Sequence, residues 1–584
     1  MVWRRKRRRN PELTPDEIFL DTVSSADGRS SGSDHTQFEG KLEQPLSRTT
    51  YLAIPVVVLV ALTVLGARAA ELEILQGPAL AKQSANNSLT VTTLFAPRGI
   101  IEDMNGTVLA DNTEGPDGRV RRRYLLQVLG PIIGYVSYPK KDASGNYYDR
   151  NQTGLAGLEA RYDAVLAGVN GQKLVETDAL GAIRSEGSIT PAIPGRTVRL
   201  SIDADLERHF AKAISSVARR SGFIAGAGVI MDVHTGAIRA IVSYPSYDPN
   251  VMSDGSPAGV INAYENDPGH PFLDHAVGGI YTPGSIVKPF VAAGGLEDGL
   301  ITPATVVNDT GLLSIPDPYH PGASFRYTGW KALGEVDVRR AIAWSSDIFF
   351  YTLGGGFKAQ KGLGIDRLNY WYRAFGLGTA TGVDLPGEVS GIIPTPAWKQ
   401  STFNEPWYLG DTYFTAIGQY SMQVTPIQAA RAIAAVANGG KLLTPTLRAD
   451  ATPVSTNIPV APDVLQVVRE GMRQTVTDAL AQILDFPYVS VAVKTGTAQV
   501  GIRNQYDNSW VIGFFPYERP RWAFAVVLER GPEGAGERAV NVMHDLFLSL
   551  HDEDSIYTGG SPSSRAGEAG GGGQTSTTTS WLAP

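Results

Sequence analysis

From Tyr51 to Gly66 the chain reads YLAIPVVVLVALTVLG without a charged side chain, and Thr49, Thr50 and Ala67 extend the run. That is about the length a helix needs to cross the hydrocarbon core of a bilayer, so residues 49–68 are read as a single membrane span. Ala67-Arg68-Ala69 resembles the small-residue cleavage site of a signal peptide, but such peptides have short leading segments and about fifty residues precede this one. An uncleaved anchor is therefore expected. The basic run Arg4 to Arg9 places the N-terminus in the cytoplasm and the bulk of the chain outside.

On either side of the span the texture changes. Residues 1–48 are polar and lack a sustained apolar period, as in a disordered cytoplasmic tail. Residues 69–199 carry short apolar runs broken by Gly, Asn and Asp, which predicts a small, extended, strand-rich domain. From about Leu200 to residue 550 the pattern is denser. AGVIMDVHTGAIRAIVSY, from Ala227, and SWVIGFFPYERPRWAFAVVLE, from Ser509, each read as a hairpin. Between them, TPIQAARAIAAVANGG has a capping Thr425, Pro426 at the first helical position and Asn438-Gly439 as a stop. Strands at both ends with helices between predict an α+β domain whose antiparallel sheet is assembled from distant segments and flanked by helices. Residues 551–584, rich in Gly, Ser and Thr, read as a flexible tail.

Several chemistries are excluded at once. The chain has no cysteine, so disulfides, thiolate metal sites and cysteine nucleophiles are absent. Its eight histidines show no H-E-x-x-H spacing, and neither a Walker-type phosphate loop nor G-x-S-x-G occurs. No metal or other cofactor is expected. A net charge of -7 over 584 residues argues against nucleic acid as a partner.

The stretch GGIYTPGSIVKPFVAAGGL, from Gly278, sets Pro283-Gly284 before Ser285 and places Lys288 three residues later. Ser285 reads either as a helix N-cap or as a nucleophile whose base is Lys288. A lysine serves as a base only when neutral, so its reference pKa of about 10.4 must fall by several units. Burial and a second nearby cation both act in that direction. VSVAVKTGTAQV, from Val489, supplies the cation as Lys494 in an alternating strand, and Gly496 there would let another chain or substrate come close. AWSSDIFF adds Ser345, Ser346 and Asp347 at the start of an apolar helix. S-x-x-K, then S-x-[ND], then K-T-G in this order is far more specific than any one of them.

This constellation resembles the penicillin-binding proteins, in particular the class B (monofunctional) members of the elongation type, which are peptidoglycan D,D-transpeptidases. APRGIIEDMNGTVLA and GLAGLEARYDAVLAG resemble the two ends of the pedestal (dimerisation-like) domain, and SYPSYDPN resembles the approach to the transpeptidase domain. FGLGTATGVDLPGE, PTPAWK, PWYLGDTYFTAIGQY and VTPIQ resemble landmarks within it, so the likeness covers about residues 96–545. It implies a serine β-lactamase/transpeptidase-like fold for residues 200–550 on a pedestal at 69–199. Carried over by position, Ser285 attacks the penultimate D-alanine of a stem peptide, Lys288 takes its proton and Ser345 relays it. Lys494, Thr495, Gly496 and Thr497 line the substrate site with Asp347, and the N–H groups of Ser285 and Thr497 form the oxyanion hole. β-Lactams would acylate the same serine. The implied partner is a SEDS-type glycosyltransferase of the cell-wall elongation complex, and the implied location is the bacterial cell membrane. A division-type enzyme, a carboxypeptidase or β-lactamase of the same fold, and a non-catalytic β-lactam sensor stay open as alternatives.

Three departures from the family pattern stand out. Asp347 occupies a position that is often Asn, and its carboxylate beside Lys288 would favour the ammonium by about 4 kcal/mol at 4 Å and an effective dielectric near 20. It is therefore expected to point away, to pair with Lys494 or to be protonated. Only Asp111 to Arg123 stands where a large head subdomain is common, so the pedestal reads as truncated. Tyr420 follows Ile417-Gly418-Gln419 where a glycine is commoner.

Overall fold

The computed structural model describes residues 48–78, 89–114, 120–143, 147–177, 183–317, 320, 322–553 and 555–559. The expected cytoplasmic tail up to residue 47 and the expected tail from residue 560 lie outside the described residues. The chain divides into two units, residues 1–87 and 88–584. The first contains helix α1, Arg48–Ala70, which continues through a π turn at Glu71–Leu75. Its large apolar side chains from Leu52 to Leu65 are all more than half exposed. A helix apolar on every face with nothing packed on it is long enough over Leu52–Leu75 to span a membrane. Residues 69–75, expected in the pedestal, thus continue the helix.

In the second unit the pedestal begins with β1, Leu89–Leu94. It continues with β2, Ile101–Glu102, and a hairpin of β3, Val108–Glu114, with β4, Val120–Tyr124. This hairpin stands where a large head subdomain is common in the family pattern. β5, Gly171–Thr177, pairs with both β1 and β6, Ile183–Thr190, while β7, Val198–Arg199, runs parallel to β2. Beneath these strands Glu159 receives Arg98 Nε at 2.5 Å and Arg122 Nε at 2.6 Å, all three side chains being fully buried. Carbonyl oxygens of Gln152, Glu159 and Gly99 take further guanidinium donors, which is what makes a dry charge cluster tolerable.

The larger domain opens with α2, Ala204–Ser221, capped by Asp203, whose carboxylate accepts from the N–H groups of Asp205 and Leu206. Leu206, Phe210, Ile214 and Val217 fall on one helical stripe and are buried. That stripe covers one face of a five-stranded antiparallel sheet. Its strands are β8, Ala225–Asp232, and β9, Ile238–Tyr244, from one end of the domain, with β10, Ala492–Val500, β11, Tyr506–Phe515, and β12, Trp522–Pro532, from the other. The order is β9-β8-β12-β11-β10, and Ala225 pairs with Glu529. The two sequence-expected hairpins thus meet edge to edge, leaving β10 on the outside. Both faces are covered, so β8 is buried along its whole length.

Helices α3, Lys288–Glu297, α4, Asp347–Gly355, and α5, Pro426–Ala437, lie in the core on the far face. α5 starts where expected, with a reciprocal capping box between Thr425 and Gln428. α6, Ala539–Asp552, packs beside α2. The domain does not stop at 550: Ile556–Thr558 forms a short 3-10 turn with Tyr557 buried against the Trp522 ring.

Candidate active site

Ser285 lies in a 3-10 turn, Gly284–Val287, that runs directly into α3. It is not the N-cap: Pro283 holds that position with no side-chain cap, and Ser285 is inside the turn. Tertiary contacts fix the turn instead. Trp510 Nε1 donates to the Thr282 carbonyl at 3.0 Å, and the N–H of Gly284 donates to the Gly418 carbonyl at 2.9 Å. Gly418, at φ +74°, is wedged so closely that a Cβ there would lie 2.2 Å from the Gly284 oxygen. On the other side a Cβ on Gly496 would meet the Pro283 carbonyl at 2.9 Å. What Gly496 admits is therefore the nucleophile turn itself.

Lys288 begins α3 and is fully buried. Its Nζ lies 2.8 Å from the Ser345 carbonyl, 3.1 Å from Ser345 Oγ and 2.7 Å from Asp347 Oδ1. Ser345 reaches Nζ with two atoms, and its backbone is left-handed, φ +57°, a strained state for a serine. Ser346, the N-cap of α4, accepts from the Phe349 N–H and donates to Asp309 Oδ2 at 2.5 Å. Asp347 is the first helical residue and opens onto the cleft. It pairs with Lys288, contrary to the expectation that it points away or binds Lys494.

Lys494, on β10, is also fully buried and donates to the Thr495 carbonyl at 2.7 Å. Burial pulls Lys288 below the usual lysine range, and the nearby Asp347 and Asp309 carboxylates oppose that fall. Lys494 is pushed well below it, by burial first and by the Lys288 charge second. The repulsion expected between the two cations is present, and Asp347 sits against Lys288.

Ser285, Ser345, Asp347, Thr495, Gly496 and Thr497 line one cleft of about 750 Å³, with Lys288 and Lys494 beneath its floor. Sequence motifs did not reveal Arg538 or Trp330, which also line it, as does Gln419 from the IGQ landmark. Gln419 follows the wedged Gly418 and points Nε2 at the Thr497 carbonyl, 3.4 Å away. Trp330 is half exposed, with Nε1 3.0 Å from the Trp344 carbonyl. Such a site, a serine on a rigid turn, a buried amine network and a β-strand edge, is built for acyl transfer to and from an extended peptide.

Residues 226–548 match the penicillin-binding protein transpeptidase domain, and residues 116–200 match the penicillin-binding protein dimerisation domain. The chain therefore belongs to the penicillin-binding protein transpeptidase family. Within that family it is a class B member of the elongation type. It is 31% identical over 503 residues to the peptidoglycan D,D-transpeptidase MrdA of Haemophilus influenzae, covering 78% of this chain and 74% of that one. The MrdA of Escherichia coli K12 is 32% identical over 490 residues, covering 77% and 74%. Among solved structures, Pseudomonas aeruginosa PBP2 in complex with WCK 5153 superposes with a TM-score of 0.65 at 32% identity, covering 78% of this chain and 96% of that one. A chain from a peptidoglycan synthase complex that couples polymerization and crosslinking gives 0.67 at 28% identity, with 87% and 98% covered.

Proposed function

We propose that this elongation-type D,D-transpeptidase cross-links stem peptides through an acyl-enzyme on Ser285, with Lys288 as its base. The observation that carries the reading is the buried contact of Lys288 Nζ with Ser345 Oγ and Asp347, one helical turn from Ser285. As an ammonium Lys288 has three donors, and Ser345 and Asp347 take all three. It gains a lone pair only by losing a proton, which a dry floor shared with a second lysine favours. The neutral amine then removes the Ser285 proton as Oγ attacks the carbonyl between the two D-alanines. Ser345, 3.1 Å from that amine, hands the proton to the departing D-alanine nitrogen.

Backbone N–H groups of Ser285 and Thr497 receive the developing oxyanion, and each preorganised donor of this kind is worth about 3 kcal/mol. Lys494 and the hydroxyls of Thr495 and Thr497 face the terminal carboxylate. An amine from a second stem peptide resolves the ester and leaves the cross-link. A β-lactam follows the first half of this path and stalls as a stable acyl-enzyme.

The anchor helix keeps the reaction at the bacterial cell membrane, with the catalytic domain on the outer side. A SEDS-type glycosyltransferase and the elongation complex are the partners this reading implies. Helicobacter pylori PBP2, 24% identical to this chain, has been solved with MreC, and that likeness bears on the fold. Mass spectrometry of the full-length chain in detergent after incubation with a fluorescent penicillin tests the assignment. A persistent adduct on Ser285, absent from Ser285→Ala, is expected. Rapid turnover of the penicillin would favour a hydrolase, and no adduct at any pH would favour a non-catalytic role.

A further inference from the structure

His275 lies outside the three catalytic motifs, yet it is buried and both of its ring nitrogens are engaged. Nε2 lies 2.8 Å from the Gly269 carbonyl, and Nδ1 lies 2.5 Å from the Tyr281 hydroxyl. The His275 N–H donates to Ser243 Oγ at 2.9 Å, which ties the residue to β9. Tyr281 is buried in turn and precedes the nucleophile turn by a few residues. Its main chain exchanges two hydrogen bonds with Val424, and its ring meets the Trp510 ring edge-on, 6.1 Å between centroids. Trp510 is the residue whose Nε1 holds the Thr282 carbonyl. A packed path therefore runs from the imidazole through Tyr281 and Trp510 to the turn that carries Ser285.

A carbonyl oxygen only accepts, so Nε2 carries a proton. In the neutral ring Nδ1 is then bare, and the Tyr281 O–H donates to it. The Glu529 carboxylate on β12, with Oε2 3.7 Å from Nδ1, also bears on that hydroxyl and is a second acceptor for its proton. A proton gained at Nδ1 would reverse the bond and turn the tyrosine proton to Glu529. Burial holds the ring below the usual histidine range, and the Gly269 carbonyl and Glu529 oppose that fall. His270 and Asp274, on the same loop, are the other titratable groups that bear on the pair.

We infer that His275 is a positioning residue for the acylation step: with its proton on Nε2 it fixes the Tyr281 hydroxyl, and through Tyr281 and Trp510 it fixes the seat of Ser285. This rests on the reading of Ser285 as the nucleophile.

The test measures acylation of the full-length chain in detergent by benzylpenicillin, with stopped flow separating the binding constant from the acylation step. NMR of the chain labelled at the histidine ring nitrogens reads the tautomer. At neutral pH His275 is expected with Nε2 protonated and Nδ1 bare. Tyr281→Phe keeps the ring and loses the donor, whereas His275→Ala loses the acceptor. Each should slow the acylation step roughly tenfold, the size of one buried hydrogen bond, and leave the binding constant within about twofold. Because both act through one bond, the double variant should be within about twofold of the slower single variant. His275→Asn, which puts an oxygen acceptor where Nδ1 stands, should recover most of the rate. The isosteric Tyr281→Phe and the tautomer carry the test if His275→Ala does not fold. Additive losses in the double variant, a loss confined to the binding constant, unchanged rates, or a protonated Nδ1 at neutral pH overturn the role of His275. If benzylpenicillin does not acylate Ser285 of the natural chain, the nucleophile reading itself fails along with the inference.

Discussion

At the scale of single residues, the proposed mechanism makes the protonation balance at Lys288 set when the enzyme can act. Its active form is the neutral amine, which exists above its pKa, so acylation rises as pH climbs through that value. Burial lowers the value and Asp347 raises it. Removing the carboxylate takes away the raising contribution, so the rise must move to lower pH. Asp347→Asn is accordingly expected to shift the acid limb of the acylation profile downward by one unit or more, since roughly 1.4 kcal/mol corresponds to one unit. Stopped-flow acylation by a chromogenic cephalosporin across pH 5 to 10 checks it, and superimposable profiles would remove Asp347 from the account. The motif residues could be picked out in the sequence because S-x-x-K, S-x-[ND] and K-T-G are short local patterns whose order is specific. Arg538 could not, since only the fold brings the start of the last helix beside Thr497. Nor could the pairing of Asp347 with Lys288, which joins side chains 59 residues apart along the chain.

At the scale of elements, the nucleophile turn is held by its neighbours as well as by its own backbone hydrogen bond from the Lys288 N–H to the Ser285 carbonyl. Gly418→Ala would place a methyl carbon 2.2 Å from the Gly284 oxygen and push the turn off β10. The expected result is loss of at least a hundredfold in acylation rate, as misplacement near 1 Å can cost that much, with the far-ultraviolet circular dichroism retained. Wild-type rates in this variant would show that the wedge is not needed.

The α2 side of the sheet makes a separate prediction. Burial raises Glu207 from an ordinary value of 4.5 to about 8, with Oε2 accepting the Ile241 N–H at 2.8 Å. Because the folded chain holds this proton more tightly than the unfolded chain, the contribution to stability is full below about pH 4.5. It is lost as pH rises through about 8. Glu207→Gln should flatten the fall in melting temperature between pH 5 and 8, whereas an unchanged slope would assign that fall to other groups, half-buried Asp274 among them. Both hairpins, α5 and its cap were legible because each is a local pattern. Strand order was not, since β8 pairs with β12 from the opposite end of the domain's sequence.

At the scale of the whole molecule, a long apolar helix, a strand-rich pedestal and a sheet-and-helix catalytic domain follow one another along the chain. The span was visible because hydrocarbon imposes length and composition together. The pedestal was readable only as a run of short strands, because its centre is a set of charges, Arg98, Glu159 and Arg122, that apolar periodicity does not mark. With the basic N-terminal run held in the cytoplasm, protease added to intact spheroplasts should degrade the catalytic domain, and its survival would reverse the orientation.

The central claim is that Lys288 can shed its proton near neutrality. Side-chain NMR titration of the full-length chain in micelles, with lysines labelled at Cε and the resonance assigned through Lys288→Arg, measures this directly. The account predicts a Lys288 signal that titrates well below the surface lysines, and one that moves with them near pH 10.4 would contradict it.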